Sequence, residues 1–275
     1  MIEDDKNRDK LAVLTRWYTT NNVTELTSLD DYISRMKEGQ KHIYFLGGED
    51  KNTLQYSPLI ERLVQEGYEV ILGDDPLDET IFSQFRDYKT FRVVNVARND
   101  FKEPYKTDDA RKEVKYLKKQ FQPLIDYAKK ELSDSIKDVK ISLRLVNNPV
   151  AIVADLSNST PNRERLEEAA ALRANVKYGK EKNILEINPH DPIIQQLNKI
   201  VEDEPDEDSS KLIHNLYYAA LIHSGFLVKD PQFFSKSVFS LINTAFEVKE
   251  EVREIEVTEE DIEAMEPTPE PEARP

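Results

Sequence analysis

The stretch HIYFLGGEDKNTLQYSPLIERLVQEGYEVILG, residues 42–73, decides the fold class. Its first part, His42 to Gly48, has the apolar content of a strand and ends in two glycines. SPLIERLVQEGY (57–68) then reads as a helix, with Ser57 as N-cap, Pro58 in the first turn, and Leu59, Ile60, Leu63 and Val64 on one apolar face. Gly67 stops it, and EVILG (69–73) is a second strand. Strand, helix and strand at this spacing predict a βαβ unit and a sheet that is at least partly parallel.

The alternation extends in both directions. SLDDYISRMKE (28–38) carries Leu29, Tyr32, Ile33 and Met36 at helical spacing behind Ser28, while PLDETIFSQFRDY (76–88) is a helix and FRVVNVA (91–97) a third strand. A helical stretch from Asp108 to Leu132 should be kinked or split by Pro123. VKISLRL (139–145) and PVAIVADL (149–156) read as strands joined through Asn147-Asn148. The change of period places a domain boundary near residue 130. Beyond it, helices are expected over 161–175, 192–201, 210–224 and 231–248, with a short strand at 184–189 and a charged loop at 202–210. The last helix is apolar over more than half its circumference, so part of it should meet another chain. The expected class is α/β plus α+β: a small three-layer βαβ segment, then a mixed, mainly helical domain ending in a helical bundle.

Composition narrows the function. The 275 residues hold 38 Lys and Arg against 53 Asp and Glu, a net charge of −15, and no Cys. Without Cys there are no disulfides, thiolate metal sites, Fe–S clusters or cysteine nucleophiles. The acidic balance argues against nucleic-acid partners, which need a basic face. No apolar run approaches the roughly 18 residues of a membrane span, and MIEDDKNRDK at the start lacks a signal peptide's apolar core. Residues 249–275 hold eleven acids and three bases, a net of −8, and end in EPTPEPEARP. They read as a disordered acidic tail, with a short helical turn around 255–265.

Catalytic motifs are absent. Gly47-Gly48-Glu49-Asp50 lacks the Lys-Ser/Thr of a phosphate loop, Gly179-Lys180 lacks the earlier glycine, and there is no GxSxG. The four histidines (42, 190, 214 and 223) have no metal-ligand spacing. Asp74, Asp75, Asp78 and Glu79 read as a turn followed by acids at a helix N-terminus. A small α/β enzyme built on residues 42–100 therefore has nothing to work with, and neither a cofactor nor a metal is expected.

Six stretches stand out together: SLDDYISRMK (28–37) with Gln40-Lys41 and Ile43-Tyr44, SPLIERLVQEGYEVI (57–71), DPLDE (75–79), Ser142-Leu143-Arg144-Leu145 with Asn148-Pro149, EINPHDPII (186–194) and ALIHSGFLVKDP (220–231). Together they resemble the heat shock protein 90 chaperones, a family of ATP-driven dimers. They occur in the family's order and cover about residues 6 to 248. Gly67 to Ile71 and Phe121 to Ile125 look most like the endoplasmin branch. The resemblance implies the end of a middle domain over 1–130 and a C-terminal dimerisation domain over 131–248. In that family the last two helices pair with their copies, which points to Leu216, Tyr217, Ala220, Val238, Leu241, Ile242 and Ala245 as interface. It also implies that the ATPase domain and its γ-phosphate arginine are missing, so that ATP belongs to a full-length parent and this chain is no enzyme.

The family's client-contacting segment usually reads G-W-x-x-N-M-E-R-I-M. Here residues 157–167 keep Asn162, Glu164 and Arg165, but the methionine positions hold Arg163 and Glu167 and the Trp is gone. Arg163, Leu166 and Leu172 are the expected client contacts, with a weaker grip than flexible methionines give. No terminal Met-Glu-Glu-Val-Asp is present, so tetratricopeptide cochaperones are not expected, and no Lys-Asp-Glu-Leu is present to support retention in the endoplasmic reticulum, the compartment the branch favours. Asn22-Val23-Thr24 and Asn158-Ser159-Thr160 are glycosylation sequons. The implied function is a homodimerising chaperone portion that binds unfolded protein. The alternative is a decoy that pairs with full-length subunits and binds no client.

Overall fold

The computed structural model describes residues 3–4, 6–84, 86–179 and 181–246. The chain forms two compact units, Met1–Ser237 and Val238–Pro275. The acidic tail and its expected helical turn lie outside the described residues.

The first unit is a mixed α/β fold. It opens with α1 (Arg8–Ala12), β1 (Trp17–Thr19), β2 (Asn22–Thr27), α2 (Leu29–Arg35) and β3 (His42–Gly47). Next come α3 (Lys51–Leu54), α4 (Glu61–Gln65), β4 (Ile71–Gly73), α5 (Asp78–Gln84), β5 (Asp87–Tyr88) and β6 (Phe91–Asn95). Two consecutive helices follow, α6 (Asp108–Gln120) and α7 (Gln122–Glu131), then β7 (Ile136–Ile141), β8 (Val150–Val153), α8 (Pro161–Arg173) and β9 (Asn183–Ile187). The described part ends with α9 (Pro192–Asp203), α10 (Glu207–His223) and α11 (Pro231–Ala245), the last of which contains the border between the units.

The first sheet has the order β2-β1-β4-β3-β6-β5, with β4, β3 and β6 parallel. Strand alternation divides β3 between two cores. Ile43 and Phe45 pack with Leu29, Tyr32 and Phe82 on one face. Tyr44 and Leu46 pack with Leu59, Ile60 and Leu63 on the other. The second sheet, β7-β9-β8, is covered on both faces too. Val150, Ile152 and Leu185 face α7, α9 and α10, while Ala151, Val153 and Ile184 join the core beneath β3. Residues before and after position 130 thus share one hydrophobic cluster.

Three expectations about elements need correction, and one holds. The helix over 57–68 is only α4. Ser57 starts a tight turn in which Ile60 N bonds Ser57 O at 3.2 Å and Leu59 N bonds Ser57 Oγ at 3.3 Å, so the regular ladder begins later. The strands β7 and β8 are not partners, because β9 lies between them, parallel to β7 and antiparallel to β8. The Asn147-Asn148 turn is held instead by the Glu61 carboxylate, which accepts from Val146 N at 2.8 Å, Asn147 N at 3.2 Å and Asn148 Nδ2 at 2.7 Å. The expected split of the helix 108–132 by Pro123 is present: it divides at Phe121, with Pro123 in the first turn of α7. The helix expected from Ser210 starts at Glu207, because Asp206 and Ser209 form a reciprocal capping box.

Candidate functional site

Between α5, β6 and the start of α8 lies a cleft of about 890 Å³, a size usual for ligand sites. Its floor is apolar and comes from the first core: Phe45, Phe82 and Val93 are buried there. One wall is the N-terminal half of α8, whose placement depends on polar contacts more than on apolar burial. Thr160, its N-cap, makes no side-chain bond to its own helix. Its hydroxyl donates instead to Glu79 Oε1 on α5, which also accepts from Asn95 Nδ2 at 2.8 Å. Asn162, buried beside it, lies 3.4 Å from Pro76 O. Glu164 pairs with Lys229 at 2.9 Å and Arg165 with Glu49 at 3.1 Å. The three residues that keep the family pattern are therefore occupied in fixing the helix.

The two departures face the opening. Arg163 is exposed and pairs with Glu167 at 2.7 Å, and both line the cleft. Glu167 is buried enough to be pushed upward, but bonds from Ser159, Arg163 and Tyr178 together outweigh burial and hold its carboxyl below the usual range. Glu79 goes the other way: burial raises it, against the Thr160 bond and the charges of Arg98 and Arg163. Its Oε2 is buried and has no hydrogen-bond partner among the described residues. On the opposite wall His42 is lowered by burial first, then by the charges of Arg92, Lys41 and Lys102.

Of the expected client contacts, Arg163 and Leu166 meet at this cleft, with Leu166 40% exposed. Leu172 is 74% exposed farther along α8 and does not line it. Sequence reasoning missed Arg86, Arg92, Arg98 and Lys102, which also line the cleft. They stand some 60 to 80 positions before Arg163 with no shared period, so only the fold brings them to α8. The acids at 74–79 do not act as a group. Asp78 accepts from the Trp17 indole at 2.8 Å while Glu79 turns to α8, and no cluster among the described residues fits a metal ion.

The expected interface residues divide. Tyr217 and Ala220 are buried in the first unit's own core, and Leu216 packs against it. Tyr218 holds the start of α11 through Phe233 and Phe234, with ring centroids 5.8 and 5.5 Å away. In the second unit Val238 is half-buried and Ala245 exposed, while Phe239, Leu241 and Ile242 are 63, 39 and 44% exposed. Among the described residues no helix is long and apolar enough to cross a membrane.

Comparison with known proteins places the sequence among relatives. The family described as Hsp90 protein matches residues 1–273. An endoplasmin homolog of Catharanthus roseus is 38% identical over 266 residues, 94% of this chain and 32% of its own length. Those of Arabidopsis thaliana and Hordeum vulgare are 37 and 38% identical over 97 and 93% of this chain, again 32% of their own length. The chain spans about a third of the length of the curated relatives it matches.

Proposed function

The chain belongs to the Hsp90 protein family, and from that premise we propose that it homodimerises and binds unfolded protein, with ATP acting only in a full-length parent. In this reading residues 1–130 are the end of a middle domain and 131–248 a dimerisation domain. The last two helices form a bundle with their copies, and the chain itself carries no catalysis and no cofactor. Unfolded segments bind along α8, where Arg163, Leu166 and Leu172 face solvent.

One observation carries the dimer. α11 has no buried residue, and Phe239, Leu241 and Ile242 stand exposed on it. A run of large apolar side chains left open to water is a surface that needs a partner, and a second copy supplies the same run by symmetry. Sedimentation equilibrium at micromolar concentration should give a dimer. L241E/I242E should weaken it more than about 100-fold, because leaving unpaired charge in an apolar interface costs about 3–5 kcal/mol. A strict monomer, or a dimer indifferent to both substitutions, overturns the reading.

A further inference from the structure

The client-contact cleft runs against the charge of the chain that contains it. The whole sequence carries −15, yet Arg86, Arg92, Arg98, Lys102 and Arg163 line this one opening. Three carboxylates are present as well, but two are engaged. Glu79 accepts from Thr160 and Asn95, and Glu167 from Arg163, Ser159 and Tyr178. The third, Asp100, lies 3.7 Å from Arg98, which also donates to Leu156 O at 2.6 Å. Arg86, Arg92 and Lys102 are exposed and make no ion pair among the described residues. The opening therefore presents free cationic donors to solvent, and the lowered His42 is consistent with the positive field of Arg92 and Lys102 added to its burial. Clefts lined by one sign of charge concentrate ligands of the other, and guanidinium forks suit carboxylates in particular.

Shape adds a second criterion. Under the cationic rim lie Phe45, Phe82 and Val93, and Leu166 stands exposed on the α8 side. Along the β6 side, β5 pairs only with Arg92 and Phe91. Val93 N still bonds Arg86 O at 2.8 Å, and between it and the Arg98–Ala154 bridge Val94 and Asn95 line the cleft, a short stretch whose outer edge no strand pairs with among the described residues. An uncovered strand edge beside an apolar floor accepts an extended chain, whose alternate side chains point up and down.

We propose that this cleft selects extended segments of unfolded polypeptide in which carboxylates alternate with large apolar side chains. The apolar residues rest on Phe45, Phe82, Val93 and Leu166, and the carboxylates meet Arg86, Arg92 and Lys102. This rests on the reading of α8 as a client-contact surface and adds the chemistry of what it contacts. The chain's overall charge alone favours basic peptides, so the two expectations are opposite in sign.

The probe is a rhodamine-labelled peptide alternating Glu with Leu and Phe, with two companions in which Lys or Gln replaces Glu. Fluorescence anisotropy with the full chain should show the Glu peptide binding about tenfold tighter than the Lys peptide, the sum expected of a few solvent-exposed charge pairs, and weakening as salt rises. R86E/R92E/K102E should remove or invert the preference. K115E/K118E, two substitutions on α6 outside the cleft, shift net charge the same way and should leave the preference intact. If the Lys or Gln peptide binds as tightly as the Glu peptide, or the triple variant keeps the preference, charge selection is overturned while client contact stands. If no peptide binds, both readings fall.

Discussion

Arg144 is 1% exposed, and four neighbours make a charge tolerable at that depth. Its Nε lies 3.0 Å from Glu186 Oε2, off the N–H direction, so the contact is an ion pair more than a hydrogen bond. One Nη donates to Val96 O at 2.6 Å, the other stands 4.0 Å from Glu103, and the guanidinium lies 5.4 Å from the Phe101 ring. Removing the arginine leaves Glu186 buried with only the Ser142 hydroxyl at 2.6 Å. R144M should therefore cost about 3–5 kcal/mol, and R144M/E186L should recover most of it, because replacing both partners of a buried pair is close to neutral. Urea denaturation of the three proteins measures this; equal losses in the single and double variants would show that packing matters and charge does not. Glu79 gives a prediction in pH. Burial raises its carboxyl, so the folded state holds that proton more tightly than the unfolded state does. Its contribution to stability is then present below the ordinary carboxylate range and is lost as pH rises through the raised value. E79Q should match the parent in acid and gain on it as pH climbs toward neutral. A parent that gains on E79Q over that climb would mean that Arg98 and Arg163 outweigh burial at this site.

Elements were legible in proportion to how locally their cause is written. β3 is apolar from Ile43 onward and runs into two glycines, and α2 carries a cap whose Ser28 accepts from Asp31 N at 3.0 Å, so short windows reveal both. The division at Phe121 follows from Pro123, which has no amide hydrogen to give to the preceding turn. The pairing of β7 with β9 was hidden because Ile136 and Asn183 are partners 47 positions apart, and in place of the nearer candidate, a hairpin through Asn147-Asn148, β9 lies between the two strands while a carboxylate on α4 holds the turn. The cleft has the same character. The family resemblance singled out Arg163 and Leu166, whereas Arg86, Arg92 and Lys102 sit on ordinary-looking polar positions of a strand and its flanks. Nothing local distinguishes them from other surface cations, and only the sheet order carries them to α8. The interface expectation shows the converse. Helical spacing marks Tyr217 and Ala220 as apolar, but spacing does not say which of two neighbours they meet, and here they meet their own core.

At the scale of the molecule, the first unit's two sheets are tied by one cluster that holds Tyr44, Leu46, Leu63 and Phe101 together with Leu145, Ala151, Val153 and Ile184. The Arg144 network and the Glu61 carboxylate cross the same junction. If residues on one side of position 130 unfolded alone, the shared face would be opened to water on both sides, at roughly 25 cal/mol per Å² of apolar area, and Arg144 would be parted from Val96 O and from the charge of Glu103. Chains well beyond 150 residues commonly unfold through intermediates, so the shared core makes a distinct prediction. Trp17, the chain's one tryptophan, sits in the first core with its indole bonded to Asp78, while α8, α9, α10 and α11, with 13, 12, 17 and 15 residues, come after residue 130. Its fluorescence therefore follows the N-terminal side, and far-ultraviolet circular dichroism is weighted to the other. The two signals should give coincident urea midpoints in the parent. In R144M they should shift together if the apolar cluster is the main tie, or separate if the ion network is. Midpoints already separated in the parent would mean that the two sides are independent domains whose contact contributes little to their stability.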